Sequence, residues 1–226
     1  MRLVRHVGEV LGVDFRQDSV GRYEAPTSAV ANWPAAECFL DSLSTHLYFG
    51  GVPPASHVFA LDRYSVESAS GVFDQTEVGS LIHRAKYQGN ETETNECGIE
   101  LAERIATCVR SHPFLASSEV VAGVPSTSGG RFSERLARRV ARILDLPLVE
   151  LELADPGGGL AKDGFVDQVF GLAGEMEHGA TALVVDDVMG SGATLRKVAE
   201  LLRAHHCRDV VAVAAAKARP KSNTGE

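Results

Sequence analysis

The chain has 226 residues, 44% hydrophobic and 23% charged, which is ordinary for a folded domain with room for one sizeable core. Its formal net charge of −8 argues against a protein that coats nucleic acid, because such proteins carry a basic excess or stripe. No run of about 18 apolar residues occurs, so no membrane partner is expected.

The opening MRLVRHVGEVLGVDFRQDS lacks the apolar core and small-residue cleavage site of a signal peptide, and none is expected. Cys38, Cys97, Cys108 and Cys207 are widely scattered and form no C-x-x-C pair. That excludes a conventional zinc-finger spacing and fits small hydrophobes in a reduced cytoplasm, the expected location.

Residues 1–75 hold little pattern. PAAECFLDSLSTHLYFG (34–50) sets Phe39, Leu43, Leu47 and Tyr48 at helical spacing, while SHVFALDRY (56–64) alternates as a strand does. Gly50-Gly51 and Pro53-Pro54 break the chain between them. Trp33, Phe39, Tyr48 and Tyr64 could stack on a ligand ring, although aromatics at this spacing more often fill a core.

From residue 76 the rhythm is regular. TEVGSLIHRAKYQ (76–88) reads as a helix ended by Gly89-Asn90, and ECGIELAERIATCVRSH (96–112) as a second, closed by Pro113. SEVVAGVP (118–125) is an apolar strand, RFSERLARRVARIL (131–144) an amphipathic helix and PLVELEL (147–153) another strand. ATALVVDD (180–187) is the most apolar strand, GATLRKVAELLRAHH (192–206) a helix and DVVAVAAAKA (209–218) the last strand. The arginines at 131, 135, 138, 139 and 142 read as a solvated helix face. His205 and His206 read as residues favoured by a helix carboxyl end. Strands apolar on both faces, alternating with helices, predict an α/β fold: a mostly parallel twisted sheet with helices on both sides. Ligands of such sheets bind at the carboxyl ends of the strands, which directs attention to loops 125–131, 154–164 and 186–194.

The last of these is the most informative. ALVVDDVMGSGATL (182–195) runs an apolar strand into Asp186 and Asp187, continues through Val188 and Met189, and reaches small residues at Gly190, Ser191, Gly192 and Ala193. Amides at the start of the following helix, with the hydroxyls of Ser191 and Thr194, suit a phosphate. Two carboxylates beside a bare phosphate would repel it, so the ligand must offer them donors or a metal. A ribose 5-phosphate does so, hydroxyls to the acids and phosphate to the loop. A Walker loop would need a lysine that is absent, and a dinucleotide fingerprint would need glycine or alanine where Leu195 stands.

This segment resembles the phosphoribosyl pyrophosphate (PRPP) motif of type I phosphoribosyltransferases, with Gly190 where that family usually has threonine or serine. LIHRAKYQGNE (81–91), VAGVPSTSGGRFSERLARRVARILDLPLV and FVDQVFGL resemble the ComF-like branch over roughly residues 78–219, without its N-terminal cysteine-rich finger. The resemblance implies a type I phosphoribosyltransferase-like fold. Residues 1–75 would form an N-terminal hood, 76–219 the core and 220–226 a flexible tail.

It also implies transfer of the 5-phosphoribosyl group from PRPP to a nitrogen nucleophile, with release of pyrophosphate. The acceptor is unidentified, and a non-catalytic PRPP-binding accessory protein is the alternative. Asp186, Asp187, Lys162 and Arg131 would be catalytic, and Val188 to Thr194 would hold the 5-phosphate. Pro125, Ser126, Thr127, Ser128, Gly129 and Gly130 would form the pyrophosphate loop. Lys86 is a further candidate. The cofactor implied is Mg2+, carried mainly by PRPP with weak or indirect help from Asp186 and Asp187. A homodimer is the assembly allowed.

Overall fold

The computed structural model describes residues 45–88, 91–125, 131–153, 170–173 and 176–219, together with the backbone of 16–17 and 23–24. That short early pair, β1 (Arg16–Gln17) and β2 (Tyr23–Glu24), is antiparallel. Next come β3 (Leu47–Tyr48), β4 (His57–Arg63) and an antiparallel hairpin of β5 (Ser65–Glu67) and β6 (Phe73–Gln75). Helix α1 (Glu77–His83) continues as a π-helical turn, Arg84–Gln88, before α2 (Glu91–Ser111) and the short α3 (Pro113–Ala116). Then follow β7 (Val120–Gly123), α4 (Phe132–Leu144), β8 (Leu148–Val149), β9 (Leu151–Leu153), β10 (Phe170–Leu172), β11 (Thr181–Met189), α5 (Ala193–Ala204) and β12 (Asp209–Lys217).

Six strands make the central sheet in the order β3-β4-β12-β11-β7-β8. All neighbours are parallel except the edge strand β3, which runs against β4. Valine and alanine dominate β11 and β12, which are buried on both faces. One face packs on α1, α2 and α4 through Leu81, Ile82, Leu101, Ile105, Leu136 and Val140. The other packs on α5 through Leu195, Val198, Ala199 and Leu202. This is the α/β architecture predicted from the alternation of elements, with helices on both faces.

The order of the strands also locates a crevice. From β7 the chain moves outward to β8, whereas from β11 it moves the opposite way to β12. The carboxyl ends of β7 and β11 therefore flank the point where the winding reverses, the usual ligand position in open α/β sheets.

Several elements differ from the sequence reading. Residues 47–63, expected in the hood, supply two strands of the central sheet, because Val58, Phe59 and Ala60 are buried beside β12. Leu47 and Tyr48 are strand, not helix, and residues 34–44 lie outside the described residues. The single strand expected over 147–153 divides: β8 pairs with β7, whereas β9 pairs with β10. Helix α2 begins earlier than its apolar pattern, at Glu91, with Glu91 and Glu93 favoured in the first turn. Strand β11 carries on two residues past the aspartates, in register with β12.

Helix α1 sits against the end of β4 with no room to spare. Thr76 caps it, accepting from the Gly79 amide at 3.0 Å, and a Cβ on Gly79 would lie 1.9 Å from the Tyr64 carbonyl oxygen. Gly79→Ala should therefore push α1 off the sheet and cost about 1–3 kcal/mol, as overpacking does. Ser80→Ala, on the same helix, should cost much less in the same urea titration.

Candidate functional site

Asp186 and Asp187 end the buried part of β11 at the winding reversal, and both are almost fully buried. Isolated carboxylates there would be strongly destabilising, so their partners matter. Asp187 Oδ2 forms an ion pair with Lys86 Nζ, delivered by the π-helical turn after α1. The same ammonium lies 5.8 Å from the centre of the Phe132 ring, the first residue of α4.

Asp186 is satisfied differently. Its Oδ1 accepts from the Asp187 amide at 2.8 Å, and Ser133 supplies a side-chain hydrogen bond. Burial, then the neighbouring charge of Asp187, pushes the Asp186 carboxyl up to about 7; its hydrogen bonds and Lys86 oppose this. The pair thus consists of one carboxylate held by a cation and one carboxyl poised near neutrality.

Beyond β11 the loop turns into α5. Gly192 adopts φ +84, a left-handed conformation that favours glycine, and a Cβ there would lie 3.5 Å from the Val52 side chain. Gly190 has no such requirement, and a Cβ there would meet nothing within 4 Å. The Ser191 hydroxyl accepts from the Ala193 amide at 3.4 Å. Lys217, the last residue of β12, donates to the Gly190 carbonyl at 2.7 Å and to that of Ala218 at 3.0 Å. The Ala218 amide donates in turn to Met189 O at 2.9 Å, so the neighbouring strand clamps the loop from both sides. No side chain caps the helix from Gly192, the kind of helix start that favours an anion.

Other expected residues are placed as follows. Pro125 is buried at the end of the β7 segment, and Ser126, Thr127, Ser128, Gly129 and Gly130 lie outside the described residues, as does Lys162. Arg131 is exposed, with φ 44, at the amino end of α4. It borders a cavity of about 450 Å3 at the carboxyl ends of β7 and β8, with Arg135, Arg138, Glu134 and Glu150. Arg138 pairs with Glu150 at 2.7 Å and Arg139 donates to Asn95 at 2.5 Å, so these arginines are partnered within the chain.

Sequence reasoning missed two neighbours of the site. Ser133 and Lys217 have no local pattern that announces them. Tyr64 stands at the rim: burial first, then Tyr87 and Asp187, hold its hydroxyl above the usual value against the effect of Lys86. Tyr48, by contrast, packs on Phe59 with ring centres 4.9 Å apart.

A family model for the phosphoribosyl transferase domain matches residues 88–224, a span that takes in β7, the aspartate pair and the loop before α5. The chain belongs to the phosphoribosyl transferase domain family. Among solved structures it is similar to adenine phosphoribosyltransferase from Leishmania tarentolae, with TM-score 0.43, 16% identity and coverage of 77% of this chain and 71% of that one. Orotate phosphoribosyltransferase from Aeropyrum pernix gives TM-score 0.38 and 22% identity, covering 67% and 72%. Purine phosphoribosyltransferase from Pyrococcus horikoshii gives 0.36 and 18%, covering 52% and 70%. No curated protein matches the sequence. As a phosphoribosyl transferase the chain is a glycosyltransferase-type enzyme, and among the described residues no helix is long and apolar enough to cross a membrane.

Two outcomes follow for this phosphoribosyl transferase. Gly192→Ala should lose about 1–2 kcal/mol of stability from left-handed strain, whereas Gly190→Ala should be nearly neutral in the same denaturation assay. The Asp186 carboxyl has a folded value near 7 against an ordinary 3.8, so the folded state holds the extra proton between them. Its contribution to stability is complete below about pH 4 and is lost as the pH rises toward 7. Melting curves of Asp186→Asn, which mimics the protonated group, should lack that part of the decline; a profile parallel to wild type would refute the assignment.

Proposed function

We propose that this phosphoribosyl transferase binds PRPP and passes its 5-phosphoribosyl group to a nitrogen nucleophile, a nucleobase or an amine, releasing pyrophosphate. The observation that carries this reading is one continuous segment, 186–194, in which two buried carboxylates are followed by a helix start that no side chain caps. A sugar phosphate has hydroxyls for the first and an anion for the second.

In this reading Asp186 and Asp187 accept hydrogen bonds from the ribose hydroxyls. The charge of the Asp187 carboxylate, and of Asp186 when ionised, also favours the cationic ring that develops as the bond to the leaving group lengthens. Residues 188–194 cradle the 5-phosphate, with Lys217 holding the Gly190 carbonyl so that the loop keeps its shape. Lys86 is a positioning residue: its ion pair orients Asp187 from the α1 side. That contact also supports the ComF-like assignment, because Lys86 belongs to the signature in LIHRAKYQGNE.

The pyrophosphate falls to loop 125–131, with Arg131 as the cation. The donor set at 186–187 fits a magnesium ion carried by the diphosphate, not an all-protein cage. Lys86 engages Asp187, and Asp186 is turned onto Ser133 and a backbone amide, so each offers at most an outer contact. Such an ion supplies charge neutralisation on the leaving group when bound. Water must be kept out, since hydrolysis of PRPP competes. This reading gives that task to the glycine-rich loop 154–164 with Lys162, which lies outside the described residues. The cytoplasm is the proposed location.

Asp187→Asn should weaken magnesium-PRPP binding about 10–100-fold in calorimetry, the worth of a hydrogen bond to a charged acceptor. Unchanged affinity would remove the carboxylate pair from the PRPP site, and with it this reading.

A further inference from the structure

Away from the catalytic rim, α2 carries a second group of chemically able side chains. The helix starts just past the Lys86 turn, and Cys108 lies about 25 Å further along it. Past its end, Phe114 stacks on His57, the first residue of β4, with ring centres 4.0 Å apart. This group lies toward the β3–β4 edge of the sheet, with β12 between β4 and the strand of the aspartates. Here His46, Cys108 and His112 each bring a potential ligand atom, all within 4.8 Å of one another. From this convergence we infer that His46, Cys108 and His112 form a binding site for a zinc-like divalent metal ion, separate from the phosphoribosyl site.

The chemistry of the donor set supports zinc over magnesium. One sulfur and two imidazole nitrogens suit a borderline-soft transition metal, whereas magnesium takes oxygen. His112 is the first residue past α2, and its amide donates to the Cys108 carbonyl at 3.2 Å, which holds the two residues next to each other. His46 reaches them from the chain just before β3.

A tetrahedral centre with bonds of 2.0–2.3 Å needs neighbouring ligand atoms roughly 3.5 Å apart, so closing on a metal takes about an ångström of side-chain movement. Part of the orientation is already built. Thr45 Oγ1 lies 3.2 Å from His46 Nδ1, the kind of outer contact that fixes a ligating imidazole. The His112 ring packs on Phe59 with centroids 4.2 Å apart, giving the site a dry wall.

Access and charge point the same way. Cys108 and His112 are fully buried, whereas His46 is half-buried and borders a surface cleft with Asp62, Glu77, Glu100 and Glu103. Arg104 pairs with Glu77 and Glu100, so Asp62 and Glu103 are left to give that approach its negative character. On binding, the Cys108 thiol loses its proton to solvent, both imidazoles coordinate as neutral ligands and no electron is exchanged. Three protein ligands leave a fourth tetrahedral position for water.

The test is a titration of the full chain, freed of metal by a chelator, with cobalt(II) and then zinc(II). The expected result is one cobalt per chain with a thiolate-to-cobalt charge-transfer band in the near ultraviolet, displaced by zinc. Cys108→Ser should abolish the band, whereas Cys97→Ser and Cys207→Ser should keep it. His46→Ala, a change at a half-buried position, should weaken zinc binding by more than the ~10–100-fold that losing an outer contact costs, with the melting temperature of the metal-free chain little changed. A chain that shows no band in excess cobalt, or keeps it in Cys108→Ser, overturns the site. Undiminished zinc affinity in His46→Ala overturns it equally.

Discussion

Two adjacent carboxylates at the end of the central strand set the terms for the rest of this molecule. Moving an unpaired carboxylate into such a position costs several kcal/mol, and here there are two of them. The chain resolves this asymmetrically. Asp187 receives the Lys86 ammonium, while Asp186 takes an amide and a serine hydroxyl and is pushed toward holding a proton. A stable arrangement therefore requires α1 and α4 to dock on the same face of the sheet, close to its ligand edge. Gly79 lets α1 approach the Tyr64 backbone, and Phe132 forms the wall that Lys86 lies against.

The same constraint explains why the site is rigid where it must be and open where it must bind. Strands β11 and β12 stay in register two residues beyond the aspartates, so the loop before α5 starts from a fixed edge. Lys217 then holds the Gly190 carbonyl, and Gly192 supplies the left-handed turn into the helix. Under the proposed function, a phosphate there would meet a loop already held in place, which is how electrostatic stabilisation is made effective. The β3–β4 edge of the same face is built with other materials: aromatic rings, imidazoles and a buried thiol pack together there.

Much of this was legible because the relevant information is local. The strand, the acids, the small-residue loop and the helix follow one another in 182–204, and each step restricts the next. Valine-rich runs that alternate with amphipathic helices also suffice to announce a parallel sheet covered on both sides. The elements misread were those whose pattern is short or ambiguous. Leu47 and Tyr48 fit a helical spacing but complete a sheet edge, and 147–153 reads as one strand although its halves pair with different partners.

The sequence by itself determined the α/β alternation, the small-residue loop and the presence of two acids before it. Only the tertiary structure decided that Lys86 answers Asp187, that Ser133 answers Asp186 and that Lys217 braces the loop. It alone, too, brought His46 to Cys108 and His112. The reason is physical. Periodicity records which face of an element is buried, but not which distant element will cover it. A buried charge or ligand atom finds its partner only when the layers have packed.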